Sequence, residues 1–120
     1  VATVIASGNS GYSNALGAPA CISSAVSVGS TTSSDQVSSF SNSASFLSLL
    51  APGSSINSSV PGNGYGTMSG TSMASPHVAG AWAVANLGSR GIGAWVSIVI
   101  SVVVIRALWG GRAGRFFRES

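Results

Sequence analysis

The chain has 120 residues, of which 45% are hydrophobic and only 6% charged, and its formal net charge is +3. That length fits one domain or part of one. Residues 1–89 carry a single charged side chain, Asp35, and all five basic residues lie in 90–120, so the pI near 10.0 does not indicate a nucleic-acid surface. The single cysteine, Cys21, excludes an intramolecular disulfide.

Three short apolar runs predict the strands of a parallel sheet. Residues 1–6 are apolar and rich in β-branched side chains, which is typical of a strand buried on both faces. Residues 22–30 alternate between apolar and small polar side chains, and residues 46–51 form a third apolar run. Turn-rich segments separate these runs and follow the last of them, at residues 7–11, 33–43 and 60–66.

Residues 70–80 read Gly-Thr-Ser-Met-Ala-Ser-Pro-His-Val-Ala-Gly and lead into an apolar run. Proline suits the opening turn of a helix, so Pro76 places Ser72 at a loop-to-helix junction, and the apolar run predicts a buried helix. A hydroxyl at that junction lies near free backbone N–H groups and the positive end of the helix dipole. Such a place suits a nucleophile whose reaction develops negative charge, although a serine there also serves as a simple N-cap.

Three other side chains invite a catalytic or reactive role. Asp35 lies in a polar loop, where a solvated or turn-capping aspartate is typical, and we do not assign it to a catalytic triad. His77 follows Ser72 by five residues, about 140° around the predicted helix, so its ring cannot easily reach the hydroxyl and we predict a structural role. Cys21 is either a reactive thiol or, as we favour, a small buried apolar residue.

The run at residues 70–80 resembles, without a break, the nucleophile motif of the subtilisin-like serine proteases, the subtilases (peptidase S8). Ala-Ser-Gly-Asn-Ser-Gly at 6–11, Ser-Phe-Ser-Asn at 39–42 and Pro-Gly-Asn-Gly-Tyr at 61–65 follow that family's order. The resemblance covers residues 1–86. It implies an α/β fold with a parallel sheet and helices on both faces, the subtilisin-like three-layer fold, here incomplete and with an atypical C-terminal tail.

The resemblance also implies roles for particular residues. Ser72 would be the nucleophile, and Asn9, otherwise explained as a turn residue, would donate a hydrogen bond in the oxyanion hole. Ala6, Ser7 and Gly8 would form one wall of the pocket for the substrate side chain before the scissile bond. The implied parent protein is a serine endopeptidase, secreted or at the cell surface, that hydrolyses peptide bonds through an acyl-enzyme.

We expect this chain to be a fragment with little or no activity alone, because the family's triad Asp and His lie well before the nucleophile and have no counterpart here. The alternative is a non-catalytic, subtilase-derived binding or membrane-anchored module. A polypeptide is the expected partner and no nucleic acid is expected. No cofactor enters the implied chemistry, and structural calcium, common in the family, finds no acidic cluster here. The absence of an initial Met and of a visible signal peptide predicts a piece of a longer protein.

The last quarter of the chain departs from the family pattern. We therefore predict two parts, a partial subtilase catalytic domain at 1–86 and an atypical apolar and Arg/Gly-rich tail at 87–120. The apolar run at 94–105 is shorter than the roughly 18 residues that span a bilayer, but flanking tryptophans and arginines give 94–109 the pattern of a membrane anchor. A strand or aggregation-prone segment is a second interpretation of the tail, and translation out of frame is a third.

Overall fold

The computed structural model describes residues 2–90 of the chain, and their side chains as far as Asn86. Within these residues the chain forms five strands and one helix. In chain order they are β1 Val4–Ala6, β2 Val26–Thr31, β3 Leu49–Pro52, β4 Ile56–Val60, β5 Gly64–Met68 and α1 Thr71–Arg90.

Strands β1, β2 and β3 form a parallel sheet with β2 in the centre. The three predicted strands are confirmed, although each begins later than the apolar run that predicted it. Val28, in the middle of β2, is fully buried. Because β2 pairs on both sides, its backbone donors and acceptors form hydrogen bonds within the sheet. An apolar side chain can therefore be buried there without leaving a backbone polar group unpaired.

Helix α1 packs across one face of this sheet and contacts all three strands. The helical positions that face the sheet carry small side chains, which let the helix approach the strands closely and form a single apolar stripe. The described residues thus contain one helical layer and one sheet layer of the predicted fold. Their core consists of Val4, Val28, Ala51, Ala74, Val78 and Ala79.

Two details of α1 differ from the sequence prediction. The helix begins at Thr71, so Pro76 lies in its second turn rather than its opening turn and removes the bond that residue 76 would donate to the Ser72 carbonyl. As far as Asn86, the buried side chains of the helix lie in its first half. Beyond them Trp82 is 44% and Val84 70% exposed, so the prediction of a buried helix is wrong at these residues.

Strands β4 and β5 form an antiparallel hairpin whose turn lies in the predicted turn-rich segment at residues 60–66. Val60 pairs with Gly64, and the turn between them holds Gly62 at φ 91° and Asn63 at φ 60°, a backbone region that glycine and asparagine enter readily. The predicted turn is therefore present, but its flanks are strands. The prediction missed them because β4 is serine-rich and largely exposed, with no apolar alternation to indicate a strand.

Cys21 is exposed, so the prediction of a small buried residue is wrong. It lies at the end of a turn that begins just before Pro19. Its neighbour Ala20, which is 3% exposed, occupies the inward position of that turn. The two residues are alike in size, and the turn geometry decides which of them is buried.

Serine hydroxyls connect β2 to the segments that follow it. Ser38 Oγ lies 2.8 Å from both Ser30 Oγ and Ser54 Oγ, and the backbone N–H of Ser30 donates to Ser41 Oγ at 2.9 Å. Ser30 and Ser38 are buried, so these bonds satisfy polar groups that water does not reach. They hold the loop between β2 and β3 against the sheet.

The predictions for the tail concern residues outside those that the structure describes. Membrane contact through 94–109, a tail strand and an out-of-frame ending all fall there, and the boundary at residue 86 stays a prediction. Within residues 2–90, α1 is not apolar enough over its length to cross a bilayer.

Candidate active site

Ser72 is the second residue of α1, so the predicted loop-to-helix junction is confirmed. The first N–H groups of a helix have no acceptor within it, and the first turn of α1 holds no acidic side chain to offset the positive end of the dipole. Ser72 is 6% exposed. Among residues 2–86 no side chain is hydrogen-bonded to its Oγ, and no fully buried side-chain oxygen there lacks a partner, so this hydroxyl reaches the surface.

Asn9 lies in the exposed loop that follows β1, and its side chain turns toward the start of α1. Its Oδ1 accepts two hydrogen bonds at 2.9 Å, one from the backbone N–H of Thr71 and one from the Thr71 hydroxyl. A backbone N–H is only a donor, so its partner on Asn9 must be the amide oxygen. The NH₂ end of the amide is therefore the end left to donate to a ligand.

The two proposed oxyanion donors border one small space beside Gly70. A β-carbon at Gly70 would lie 3.5 Å from both Asn9 Nδ2 and Met73 Sδ, and 3.8 Å from the backbone nitrogen of Ser72. Glycine leaves that space open. Two N–H donors beside one open space, next to a serine hydroxyl, resemble an arrangement that can stabilise an oxyanion during acyl transfer.

Thr71 joins the two halves of this site, and the sequence analysis gave it no role. It is fully buried. Besides donating to Asn9, its Oγ1 accepts the backbone N–H of Gly8 at 3.2 Å, so one hydroxyl fixes both the side chain and the backbone of the β1 loop. The signal in the sequence is a hydroxyl residue directly before Ser72, but its partners lie more than 60 residues away and spacing alone does not reveal them.

The predicted wall residues lie at the end of β1 and the start of the same loop. Ser7 is fully buried; its N–H donates to the Val28 carbonyl at 2.9 Å and its carbonyl accepts from the Gly17 N–H at 2.8 Å. Ala6 and Gly8 are partly exposed beside it. The structure thus places all three next to Asn9, while their contact with a substrate side chain stays a prediction.

His77 and Asp35 lie apart from the Ser72 hydroxyl. Nδ1 of the exposed His77 ring is 2.8 Å from the carbonyl oxygen of Met73, four residues earlier in the same helix, which agrees with a structural role. Asp35 is an exposed turn residue at φ 58°, and its N–H donates to the Thr32 carbonyl at 3.1 Å. Neither side chain is hydrogen-bonded to Ser72.

Comparison with known proteins identifies the protein family. The sequence matches the model of the subtilase family over residues 1–99. It is 51% identical to subtilisin E of Bacillus subtilis (strain 168) over 77 residues, which are 64% of this chain and 20% of that protein. It is 51% identical to alkaline serine exoprotease A of Vibrio alginolyticus over 80 residues, 67% of this chain and 15% of that one.

A solved structure agrees with these sequence matches. The crystal structure of a cold-adapted subtilisin-like serine proteinase superposes with a TM-score of 0.66 at 53% identity, covering 71% of this chain and 31% of that chain. The chain therefore belongs to the subtilase family, a family of serine proteases, and its sheet and helix are part of the subtilisin-like α/β fold. The matched segment spans a fifth or less of the two relatives named above.

Proposed function

We propose that residues 1–86 supply the nucleophile and the oxyanion hole of a serine endopeptidase. The observation that carries this proposal is the position of Asn9 Nδ2 and the Ser72 backbone nitrogen beside the open space at Gly70. The general base and the carboxylate that orients it would come from a histidine and an aspartate outside this chain, which in this family precede the nucleophile.

The reaction follows from the positions of these groups. Ser72 Oγ attacks the carbonyl carbon of the scissile peptide bond while its proton passes to the external histidine. The carbonyl oxygen becomes an oxyanion and accepts hydrogen bonds from the Asn9 side chain and the Ser72 backbone. Collapse of this tetrahedral intermediate breaks the C–N bond, and the histidine returns the proton to the leaving amine. Water then hydrolyses the acyl-enzyme by the same steps, and no cofactor takes part.

Asn9 contributes because its hydrogen bond strengthens as charge develops on the substrate oxygen. In a subtilisin, the loss of one such donor lowers kcat about 100- to 1000-fold, a figure that belongs to that enzyme rather than to this chain. The donor acts only if it is already in place when the charge forms. Thr71 provides that placement through its two bonds to Asn9 Oδ1.

The experiment supplies the proposed histidine and aspartate from a relative, subtilisin E, in two hybrid proteins. In a long hybrid, the part of subtilisin E that precedes the segment similar to this chain is fused to residues 1–120. In a short hybrid, residues 1–86 replace the matching segment of subtilisin E, which keeps its own ending. We expect Ser72-dependent hydrolysis of a chromogenic peptide by the short hybrid, unchanged after dialysis against a chelator at a temperature where the protein stays folded.

The controls separate the site from the scaffold. Ser72→Ala should abolish turnover and labelling by a fluorophosphonate, while leaving the circular dichroism spectrum unchanged. The 120-residue chain alone should show little or no turnover, because it lacks the proposed base. A folded short hybrid without Ser72-dependent turnover would contradict the proposed function. A long hybrid that is inactive beside an active short one would assign the defect to residues 87–120.

A further inference from the structure

We infer that Asn42 is a positioning residue that holds the Asn9 loop in the geometry required for catalysis. The inference rests on the proposed function, since it concerns how the oxyanion donor of that site is kept in place. Asn42 lies in the loop between β2 and β3, is 2% exposed, and forms no hydrogen bond with Ser72 or Asn9.

The side-chain amide of Asn42 bridges the two ends of the Asn9 loop. Its Oδ1 accepts the backbone N–H groups of Ser10 at 2.9 Å and Tyr12 at 3.1 Å. Its Nδ2 donates to the carbonyl of Ser7 at 3.1 Å. One planar group thus fixes the chain on both sides of Asn9, and its orientation is settled because it must accept from the backbone N–H groups at one end.

The backbone of Asn42 adds two bonds to the same loop. Its N–H donates to the Gly8 carbonyl at 2.9 Å, and its carbonyl accepts from Ser7 Oγ at 2.9 Å. The Asn42 side chain also fills the space that a β-carbon on Gly8 would need, and Gly8 itself is at φ 105°. Four of the residues around Asn9 are therefore bonded to Asn42, while Asn9 itself is bonded to Thr71.

This arrangement separates two tasks. Thr71 aims the Asn9 side chain, and Asn42 sets the backbone from which that side chain extends. Because the Asn9 donor is required mainly when the oxyanion forms, displacement of its backbone should lower kcat and leave KM nearly unchanged. A residue that only stabilises the fold would instead change the fraction of active molecules without changing the rate of each one.

The test uses Asn42→Ser, Asn42→Asp and Asn9→Ala, alone and combined, in both hybrids. Asn42→Asp keeps the size of the side chain and loses the donor to Ser7, so it separates loss of position from loss of volume. Active-site titration counts competent molecules, which makes kcat independent of folding yield. Ser27→Ala is the matched control, because Ser27 is also 2% exposed and hydrogen-bonded, to Ser48 Oγ at 3.1 Å, away from the Asn9 loop.

We expect each Asn42 variant to lower kcat at least tenfold with KM within twofold, and Ser27→Ala to leave kcat unchanged. In the Asn9→Ala background the same Asn42 substitutions should cost less than twofold, because the group they position is gone. Equal losses with and without Asn9, or a loss that lies in KM alone, would overturn the inference. An inactive parent hybrid would instead count against the proposed function, so the two failures are distinguishable.

Discussion

At the scale of single residues, the site depends on side chains that hold other side chains. Thr71 is buried and has no role in bond making, yet its hydroxyl is bonded to Asn9 at 2.9 Å and to the Gly8 N–H at 3.2 Å. A shift of the donor by an ångström is enough to weaken its bond to a developing oxyanion substantially. The rate should therefore depend on Thr71 even though it does not touch the substrate.

The first prediction concerns this hydroxyl. Thr71→Val keeps the shape of the side chain and removes both of its hydrogen bonds, so kcat of the active hybrid should fall about tenfold, the worth of roughly 1.4 kcal/mol. Thr71→Ser keeps the hydroxyl and should retain most of the rate. Initial rates with a peptide substrate, normalised by active-site titration, would measure both. An identical kcat in Thr71→Val and the parent hybrid would contradict the role of Thr71.

The second prediction concerns the open space beside the donors. Gly70→Ala would place a methyl group 3.5 Å from Asn9 Nδ2 and 3.8 Å from the Ser72 nitrogen, which is ordinary contact for the protein but occupies room beside the oxyanion. We expect kcat to fall severalfold while the unfolding temperature changes little. Steady-state kinetics and a thermal melt on the same sample separate the two effects. A large fall in the unfolding temperature would show instead that the glycine is needed for the fold.

At the scale of elements, the end of β3 positions the start of α1. Gly53, directly after β3, receives the Gly70 N–H on its carbonyl at 2.8 Å and donates its own N–H to the Thr31 carbonyl at 3.1 Å. A β-carbon at Gly53 would lie 2.5 Å from Ser30 Oγ and 2.7 Å from the Gly70 carbonyl. Only glycine lets the sheet edge and the nucleophile helix come this close.

The third prediction follows from that contact. Gly53→Ala should destabilise the hybrid by about 1–3 kcal/mol, as overpacking does elsewhere, because a backbone carbonyl has to move. Gly64→Ala is the control, since its nearest neighbour is Val60 Cγ2 at 3.7 Å. The rate of heat inactivation would report both variants. Equal inactivation rates for the two would show that the β3–α1 contact adapts without cost.

Local patterns were enough to predict the parallel strands and the helix junction, because apolar runs and the residue 70–80 motif carry those signals within a few residues. They were not enough for burial. Cys21 and Ala20 are both small, and only the turn decides which one faces inward. Thr71 and Asn9 form their bond across 62 residues of the chain, so no local pattern could reveal it.

At the scale of the molecule, the described residues leave apolar side chains exposed beyond the sheet. Trp82 and Val84 lie in the second half of α1, and Leu49 and Leu50 lie on β3, one of the two edge strands of the described parallel sheet. Exposed apolar patches beside an unpaired strand edge favour association with other chains. Since the chain covers 31% of the solved relative, these surfaces are candidates for contact with the rest of a catalytic domain.

The fourth prediction compares the effect of one pair of substitutions in the isolated chain and in the short hybrid. Trp82→Lys with Val84→Lys should reduce self-association of the isolated 120-residue chain, because charge replaces apolar surface. In the short hybrid the same pair should lower stability if the rest of the domain covers these two positions, because two ammonium groups would then lose their hydration. Light scattering measures the first effect and heat inactivation the second. Unchanged stability of the hybrid would show that both positions stay in solvent there.

The row of hydroxyls at Ser30, Ser38 and Ser54 has a property that none of its members has alone. Ser38 carries one proton, so it can donate to only one of its two neighbours, and at least one of the two bonds uses a proton from Ser30 or Ser54. An arrangement in which Ser38 donates to one neighbour and accepts from the other has two directions, and a change from one to the other requires all three hydroxyls to rotate. Ser54 is partly exposed, so solvent reaches that end of the row, while Ser30 and Ser38 are buried.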